Sequence, residues 1–358
     1  MYKVEWSDKI EELIGPYHDF VAEILNFVNE EPRFEAKNES DIDILVKKMQ
    51  DLKKDADCKY SFLDVATGTN LKNHICELKY EGMDLFEKYN EFVVNYKNFL
   101  SQDWMDITSY SKEVTKAFEY FYSDLIHGKI FNKTIGETNA IRELREELTL
   151  ESTCPYCDIH EMEFDSSSVD HFIPKSRYPL LAIYPKNLVV ACSACNDRIK
   201  QEKLYLPIMH PYFDNLDDYF YFTYKNDCIE IEFFEPISLL DKEKVLNFFK
   251  LFHLKERYNK YCRRKLIKLK EEIQRNVIKQ IKYIENITIN DIQLKIKEEI
   301  KDQYVNILKE KKIDSLTKLR LDYLKQLQLN KEDLLNLSMY IANEIEIGTS
   351  NLRITNPF

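Results

Sequence analysis

Four of the eight cysteines occur as two close pairs, Cys154-Pro-Tyr-Cys157 and Cys192-Ser-Ala-Cys195, giving the pattern C-x2-C-x34-C-x2-C. Turn-forming residues flank them, Pro155 in the first and Ser193 with Asn196 in the second. Two such knuckles brought face to face supply four thiolates for one tetrahedral Zn2+. Sulfur fills all four positions, so the expected zinc is structural. It would hold in shape a segment of about 50 residues, too short to build a core of its own. The rival reading, a pair of redox C-x-x-C motifs, needs a thioredoxin-like βαβ setting that the surrounding sequence lacks. The other cysteines, Cys58, Cys76, Cys228 and Cys262, are scattered singly.

A second constellation lies between the knuckles and just after them. His171, preceded by Asp170, is followed after fifteen residues by Asn187, and Asn187 after eight by Asn196. Val169-Asp170-His171-Phe172-Ile173 has the composition of a strand and Pro174 ends it, so Asp170 and His171 should point to opposite faces. Taken together, CPYC, VDHFIPKS, PKNLVVACSACN and Lys200 resemble the HNH endonuclease family in its four-cysteine zinc form, over the stretch from Cys154 to Lys203. The resemblance implies a ββα-metal module in which His171 is the general base and Asp170 and Asn196 bind a catalytic divalent cation. It also implies that Asn187 fixes its loop through backbone hydrogen bonds and helps to hold His171. Asn196 stands where many relatives have histidine, and an amide oxygen is an acceptable ligand for Mg2+. Two protein ligands suit Mg2+ or Mn2+, which keep waters and take further ligands from substrate. Lys175, Arg177, Lys186, Arg198 and Lys200 surround the motif as candidate phosphate contacts, with Lys200, one turn beyond Asn196, foremost. His160 is expected to be an ordinary surface histidine, and His210 a packing or turn residue before Pro211.

The longer combination DHFIPKSRYPLLA, PKNLVVACSACN and HPYFDN is similar to the HNH component of Septu-type and retron-associated anti-phage systems, which acts with a separate ABC-type ATPase. No G-x4-G-K-[ST] pattern occurs in this chain, so ATP sensing would fall to such a partner. The resemblance makes DNA the default substrate over RNA and is compatible with a homodimer or a larger hetero-complex. Two alternatives stay open. A non-catalytic zinc adaptor explains the cysteines but leaves Asp170-His171, Asn187 and Asn196 as coincidence; the other is a stand-alone HNH nuclease.

The elements that must position these residues are mostly helical. The chain has 358 residues, 44 % of them apolar, with only 6 Gly and 10 Pro, which favours long helices joined by few turns. The expected architecture is mostly α with a small α+β centre, in three parts. Residues 1–150 form a helical N-terminal domain for scaffolding or partner docking, 151–210 the zinc-stapled nuclease module, and 211–358 a β-hairpin followed by a helical C-terminal domain. In the first part, apolar residues recur at three and four from Ile10 to Val28, Pro16 and Pro32 mark boundaries, and Gly68 and Gly82 offer breaks. The cluster Phe118, Tyr120, Phe121 and Tyr122 reads as core, and a helix over Thr138–Leu148 leads into Cys154. In the last part, Tyr219–Tyr224 and Cys228–Phe234 make a hairpin. Helices should follow over Asp241–Phe252, Leu254–Ile284 and Asn290–Lys311, with two shorter ones from Ser315.

The net charge of -11 is unevenly spread, with -11 in residues 1–150, -2 in 151–210 and +2 in 211–358. An acidic first part is ill suited to grip a phosphate backbone. Residues 255–270 carry +7, and Lys260, Arg264 and Lys268 there are candidate nucleic-acid contacts beside an apolar stripe of Leu254, Tyr258, Cys262, Leu266 and Leu269. MYKVEWSDKIEELIG has no apolar leader segment, and no run approaches the ~20 apolar residues of a membrane span, so the expected location is the cytoplasm.

Overall fold

The computed structural model describes residues 3–30, 34, 37–38, 40–55, 57–58, 60–66, 70–81, 84–102, 110–128, 139–149, 152–311 and 313–354, with side chains as far as 345. Pro32, Gly68, Gly82 and Thr138 lie outside these residues. Among the described residues, no helix is long and apolar enough to cross a membrane. The contacts divide the chain into two compact units, each interrupted in sequence.

One unit comprises Lys3–Leu150 and Met162–Asp214. Helix α1 (Asp8–Glu30) buries Ile10, Leu13, Ile14, Tyr17, Phe20, Val21, Ile24 and Leu25, the spacing of one helical face. Pro16 lies inside α1 instead of bounding it. The apolar stripe runs unbroken across it, and burial of Leu13, Ile14, Tyr17 and Phe20 outweighs the ~3 kcal/mol that an interior proline costs. Then follow α2 (Asp41–Leu52), α3 (Leu63–Ala66), α4 (Leu71–Leu78), α5 (Leu85–Phe99) and α6 (Lys112–Tyr120). The side chains of Asp84 and Ser111 cap α5 and α6 by accepting from the Glu87 and Val114 N–H groups. Beyond α6 the helix widens into a π-helical turn, Phe121–Leu125. Phe118 and Phe121 remain in the core while Tyr122 is only half-buried. Helix α7 (Ala140–Thr149) places Arg145 so that its Nη2 donates to the Phe164 and Ser167 carbonyls, each at 2.6 Å.

Those carbonyls lead into β1 (Ser167–His171), which pairs antiparallel with β2 (Leu188–Cys192), Ser167 opposite Cys192 and His171 opposite Leu188. All of β2 is buried, which is why it is a continuous apolar run and not an alternating one. Two short 3-10 turns, Pro179–Ile183 and Pro185–Asn187, join the strands, each opened by a proline. After β2 comes a second π-helical turn, Ala194–Lys200, closed where Gln201 takes a left-handed φ of 51° and its N–H donates to the Asn196 carbonyl.

The other unit comprises Glu151–Glu161 and Asn215–Phe358 with the first two residues. Strands β3 (Phe220–Lys225) and β4 (Cys228–Phe233) form a hairpin with Lys225 opposite Cys228. Its loop residues Asn226 and Asp227 have φ of 49° and 58°, the left-handed values that a two-residue turn matching the strand twist requires. A carboxamide caps one residue on each outer edge. Gln326 accepts from the Tyr224 N–H at 2.7 Å and donates to the Tyr224 carbonyl at 2.8 Å, and Asn259 does the same for Ile229, both at 2.8 Å.

Helices α8 (Leu239–Leu251), α9 (Leu254–Arg257), α10 (Arg263–Ile281), α11 (Ile289–Lys309), α12 (Thr317–Leu329) and α13 (Lys331–Ile354) complete this unit, with a π-helical turn at Tyr258–Cys262 between α9 and α10. Helix α11 starts at Ile289 and not at Asn290, because Thr288 and Asp291 form a reciprocal capping box ahead of it. The last helix spans 24 residues and is not short. The protein is mostly helical, with two small antiparallel sheets and a four-cysteine cluster.

Candidate functional site

The ligand atoms of Cys154, Cys157, Cys192 and Cys195 all lie within 4.8 Å of one another, and the four residues are buried. The first knuckle is shaped by the Cys157 and Asp158 N–H groups, which donate to the Cys154 carbonyl at 3.2 and 2.9 Å, with Asp158 at a left-handed φ of 52°. The Tyr258 hydroxyl donates to the Cys157 carbonyl at 2.9 Å. Four thiols this close fit Zn2+, whose sulfur ligands sit at about 2.3 Å, and the set suggests zinc binding. No disulfide joins them. His160 is exposed, with Nδ1 3.7 Å from the Cys157 sulfur, where it can only support a set that is already complete.

His171 ends β1, half-buried, while its neighbour Asp170 is turned inward. Its Nε2 lies 3.0 Å from the Ala182 carbonyl. Since a carbonyl can only accept, the ring proton sits on Nε2 and Nδ1 carries the basic lone pair. Burial, with the Lys175 charge as the next contribution, pushes the His171 pKa down to about 3, against the opposing Ala182 bond. The imidazole is therefore neutral at pH 7. Tyr122 meets this ring edge-on with centroids 4.3 Å apart, and Lys175 Nζ sits 5.0 Å from the Tyr122 ring centre. Burial and the Asp170 charge raise the Tyr122 hydroxyl to about 12, so it stays protonated.

Asn187 is buried at the end of the second 3-10 turn. Its Oδ1 accepts from the Ile173 N–H at 2.7 Å and its Nδ2 donates to the Ile173 and Leu181 carbonyls, both at 3.0 Å. The backbone after His171 is thereby tied to the segment carrying Ala182.

Asn196 lies in the π-helical turn alongside β1. Its Nδ2 donates to Ser168 Oγ at 2.9 Å and to the Val169 carbonyl at 3.4 Å, and the Ser168 hydroxyl donates to Asp197 Oδ1 at 3.4 Å. With the amide nitrogen engaged in this way, Oδ1 is the atom that Asn196 can present to a cation. One carboxylate, Asp170, and one amide oxygen make a donor set that fits a hard divalent cation.

Lys200 does not join the surface cations around the motif. It is fully buried, its Nζ 2.9 Å from Asp170 Oδ1 and 2.8 Å from the His171 carbonyl. The wide turn carries its side chain under β1, away from any phosphate at the surface. Arg177 and Arg198 are exposed, and Lys175 and Lys186 half-buried, Lys186 Nζ lying 5.9 Å from the Trp6 ring centre. Lys260, Arg264 and Lys268 are exposed in the second unit, on the polar side of the helix whose apolar stripe from Leu254 to Leu269 is buried. Neighbouring Lys255 and Arg263 are taken up by Glu230 and Asp227. Tyr122, Ala182 and Ser168 were not singled out by the sequence. Tyr122 lay hidden in a helix-spaced aromatic cluster, and the other two act through a backbone carbonyl and a common hydroxyl.

Residues 154–202 match the model of the HNH endonuclease family. The chain is also similar to protein ea31 of Escherichia phage lambda, 25 % identical over 209 residues, which is 50 % of this chain and 69 % of that protein. No solved structure matches it. Cys154, Asp170, His171, Asn187, Asn196 and Lys200 all fall inside the matched stretch, and this HNH endonuclease domain supports a nuclease function for the protein.

Proposed function

We propose that the protein is a metal-dependent endonuclease that hydrolyses phosphodiester bonds in DNA with His171 as general base. The observation that carries this reading is the His171 ring, whose Nε2 lies 3.0 Å from the Ala182 carbonyl so that Nδ1 is the basic atom, with its neighbour Asp170 at the end of the same strand. His171 Nδ1 takes a proton from water as the water oxygen bonds to phosphorus. The P–O3′ bond then breaks, leaving a 5′-phosphate, and solvent protonates the 3′ oxygen. Asp170 and Asn196 would hold Mg2+ or Mn2+, which when bound neutralises charge on the scissile phosphate and leaving oxygen. Asn187 keeps the strand end in place. Lys175, Arg177, Lys186 and Arg198, with Lys260, Arg264 and Lys268, supply the phosphate contacts.

The resemblance of DHFIPKSRYPLLA, PKNLVVACSACN and HPYFDN to Septu-type and retron-associated components extends this to anti-phage defence in the cytoplasm, with an ABC-type ATPase as partner. Plasmid, linear DNA and tRNA incubated with purified protein and Mg2+ or Mn2+ test the chemistry. Wild type should nick or cut DNA, and His171→Ala should lose about 100-fold or more of that activity while remaining folded. Equal cleavage by the two proteins would remove His171 from the mechanism. Co-purification with the product of a neighbouring ATPase gene tests the partner.

A further inference from the structure

Behind Asn187 lie two buried polar side chains, Tyr96 and His210, that the hydrolysis scheme does not use. Tyr96, in α5, is 1 % exposed, and Asn187 and His210 are fully buried. His210 is neutral because burial pushes its pKa down to about 3. Its Nδ1 accepts from the Tyr212 N–H at 3.2 Å, so its one ring proton sits on Nε2, which faces the Tyr96 hydroxyl at 3.4 Å. The Tyr96 O–H donates in turn to Asn187 Oδ1 at 2.8 Å. With Ile173 N–H on the same oxygen and both amide protons given to carbonyls, every hydrogen-bonding position of Asn187 is filled. The His210 ring also meets Phe172, the residue after His171, at 4.3 Å.

The direction of donation is fixed at each step, since Tyr212 N–H can only donate and His210 carries a single proton. The far end of this hydrogen-bonded series reaches both sides of His171. Asn187 grips Ile173, two residues past the imidazole, and Leu181, one residue before the carbonyl that holds its Nε2–H. A small displacement of either would change the direction of the Nδ1 lone pair, to which proton transfer is sensitive.

We propose that Tyr96 and His210 are positioning residues for His171, acting through Asn187, so that α5 and the segment around His210 belong to the catalytic scaffold. This rests on the nuclease reading above. The test uses the full zinc-loaded chain as wild type, His171→Ala, Tyr96→Phe, His210→Leu and His210→Gln. DNA cleavage is read as kcat and KM, and backbone amide exchange is followed over Ile173 without substrate. Tyr96→Phe and His210→Leu should lower kcat about 10- to 100-fold, the usual effect of losing a supporting hydrogen bond, with KM unchanged and faster exchange at Ile173. His210→Gln, which can still accept from Tyr212 and donate to Tyr96, should recover most of the loss. Wild-type kcat in Tyr96→Phe, or equal loss in the Gln and Leu variants, would overturn the proposal while leaving the nuclease reading intact. A wild type that cleaves nothing would overturn that reading, and with it the role assigned here. Faster exchange at Ile173 in Tyr96→Phe would then still establish the hydrogen-bond chain, and unchanged exchange would dismiss it.

Discussion

Lys200 Nζ lies 2.9 Å from Asp170 Oδ1, with the two side chains 0 % and 4 % exposed. The ammonium has further contacts with the His171 and Gln201 carbonyls at 2.8 and 3.4 Å, so its donors are spent inside the protein. A buried pair of this kind adds little net stability, but losing one partner leaves an uncompensated charge. In zinc-loaded protein without added Mg2+, Lys200→Met should cost about 3–5 kcal/mol. Part of that loss should be regained with Mg2+ or Mn2+, and the Asp170→Asn/Lys200→Met double variant should lose less than the single one. Urea midpoints with and without the cation decide it, and an identical loss in both would mean that the cation does not reach Asp170.

Ser168 orients Asn196 through the 2.9 Å bond to Nδ2. Ser168→Ala should weaken binding of the catalytic cation about 10- to 100-fold, with kcat at saturating metal changed little. Titration with Mn2+ followed by electron paramagnetic resonance reads the affinity directly. Unaltered affinity would show that the Val169 carbonyl suffices to hold the amide.

The cysteine cluster should bind a single zinc ion per chain, counted by elemental analysis. Cys192→Ser, or prolonged chelation, should destroy the β1–β2 region and abolish cleavage, because Cys192 is both the last residue of β2 and a member of the cluster. A Cys192→Ser protein with full zinc and full stability would contradict this.

Stability should fall in acid partly through His210. Its folded pKa, about 3, lies below the ordinary 6.5, so between these values the unfolded chain binds the extra proton and stability declines as the pH drops. The contribution is fully present above pH 6.5 and should be lost at up to ~1.4 kcal/mol per pH unit below it. In His210→Gln, denaturation midpoints measured down that range should have a shallower slope by this amount.

The elements closest to the chemistry were the most legible. Metal knuckles require cysteine at fixed short intervals, so Cys154, Cys157, Cys192 and Cys195 pointed to zinc from spacing alone. The hairpin was marked by β-branched and aromatic runs on either side of Asn226-Asp227. What stayed hidden was long-range or depended on helix geometry. Tyr96 meets Asn187 across 91 residues and His210 across 114, and a tyrosine at helical spacing looks the same whether it packs or donates. Lys200 looked like a surface cation because its partners, Asp170 and the His171 carbonyl, lie about thirty residues away in sequence, and no local residue announces its burial. Pro16 looked like a boundary because its cost is local, whereas the burial that outweighs it is shared along the whole of α1.

The carboxamides of Gln326 and Asn259 each occupy the N–H and C=O of one edge residue, Tyr224 on β3 and Ile229 on β4. Each side chain thus fills the slot that the backbone of a neighbouring strand would take. An incoming extended peptide would have to break two good hydrogen bonds at either margin before forming its own. Next to the turn, therefore, both edges of the hairpin are occupied, and a strand added in register with Tyr224 or Ile229 would begin at a loss.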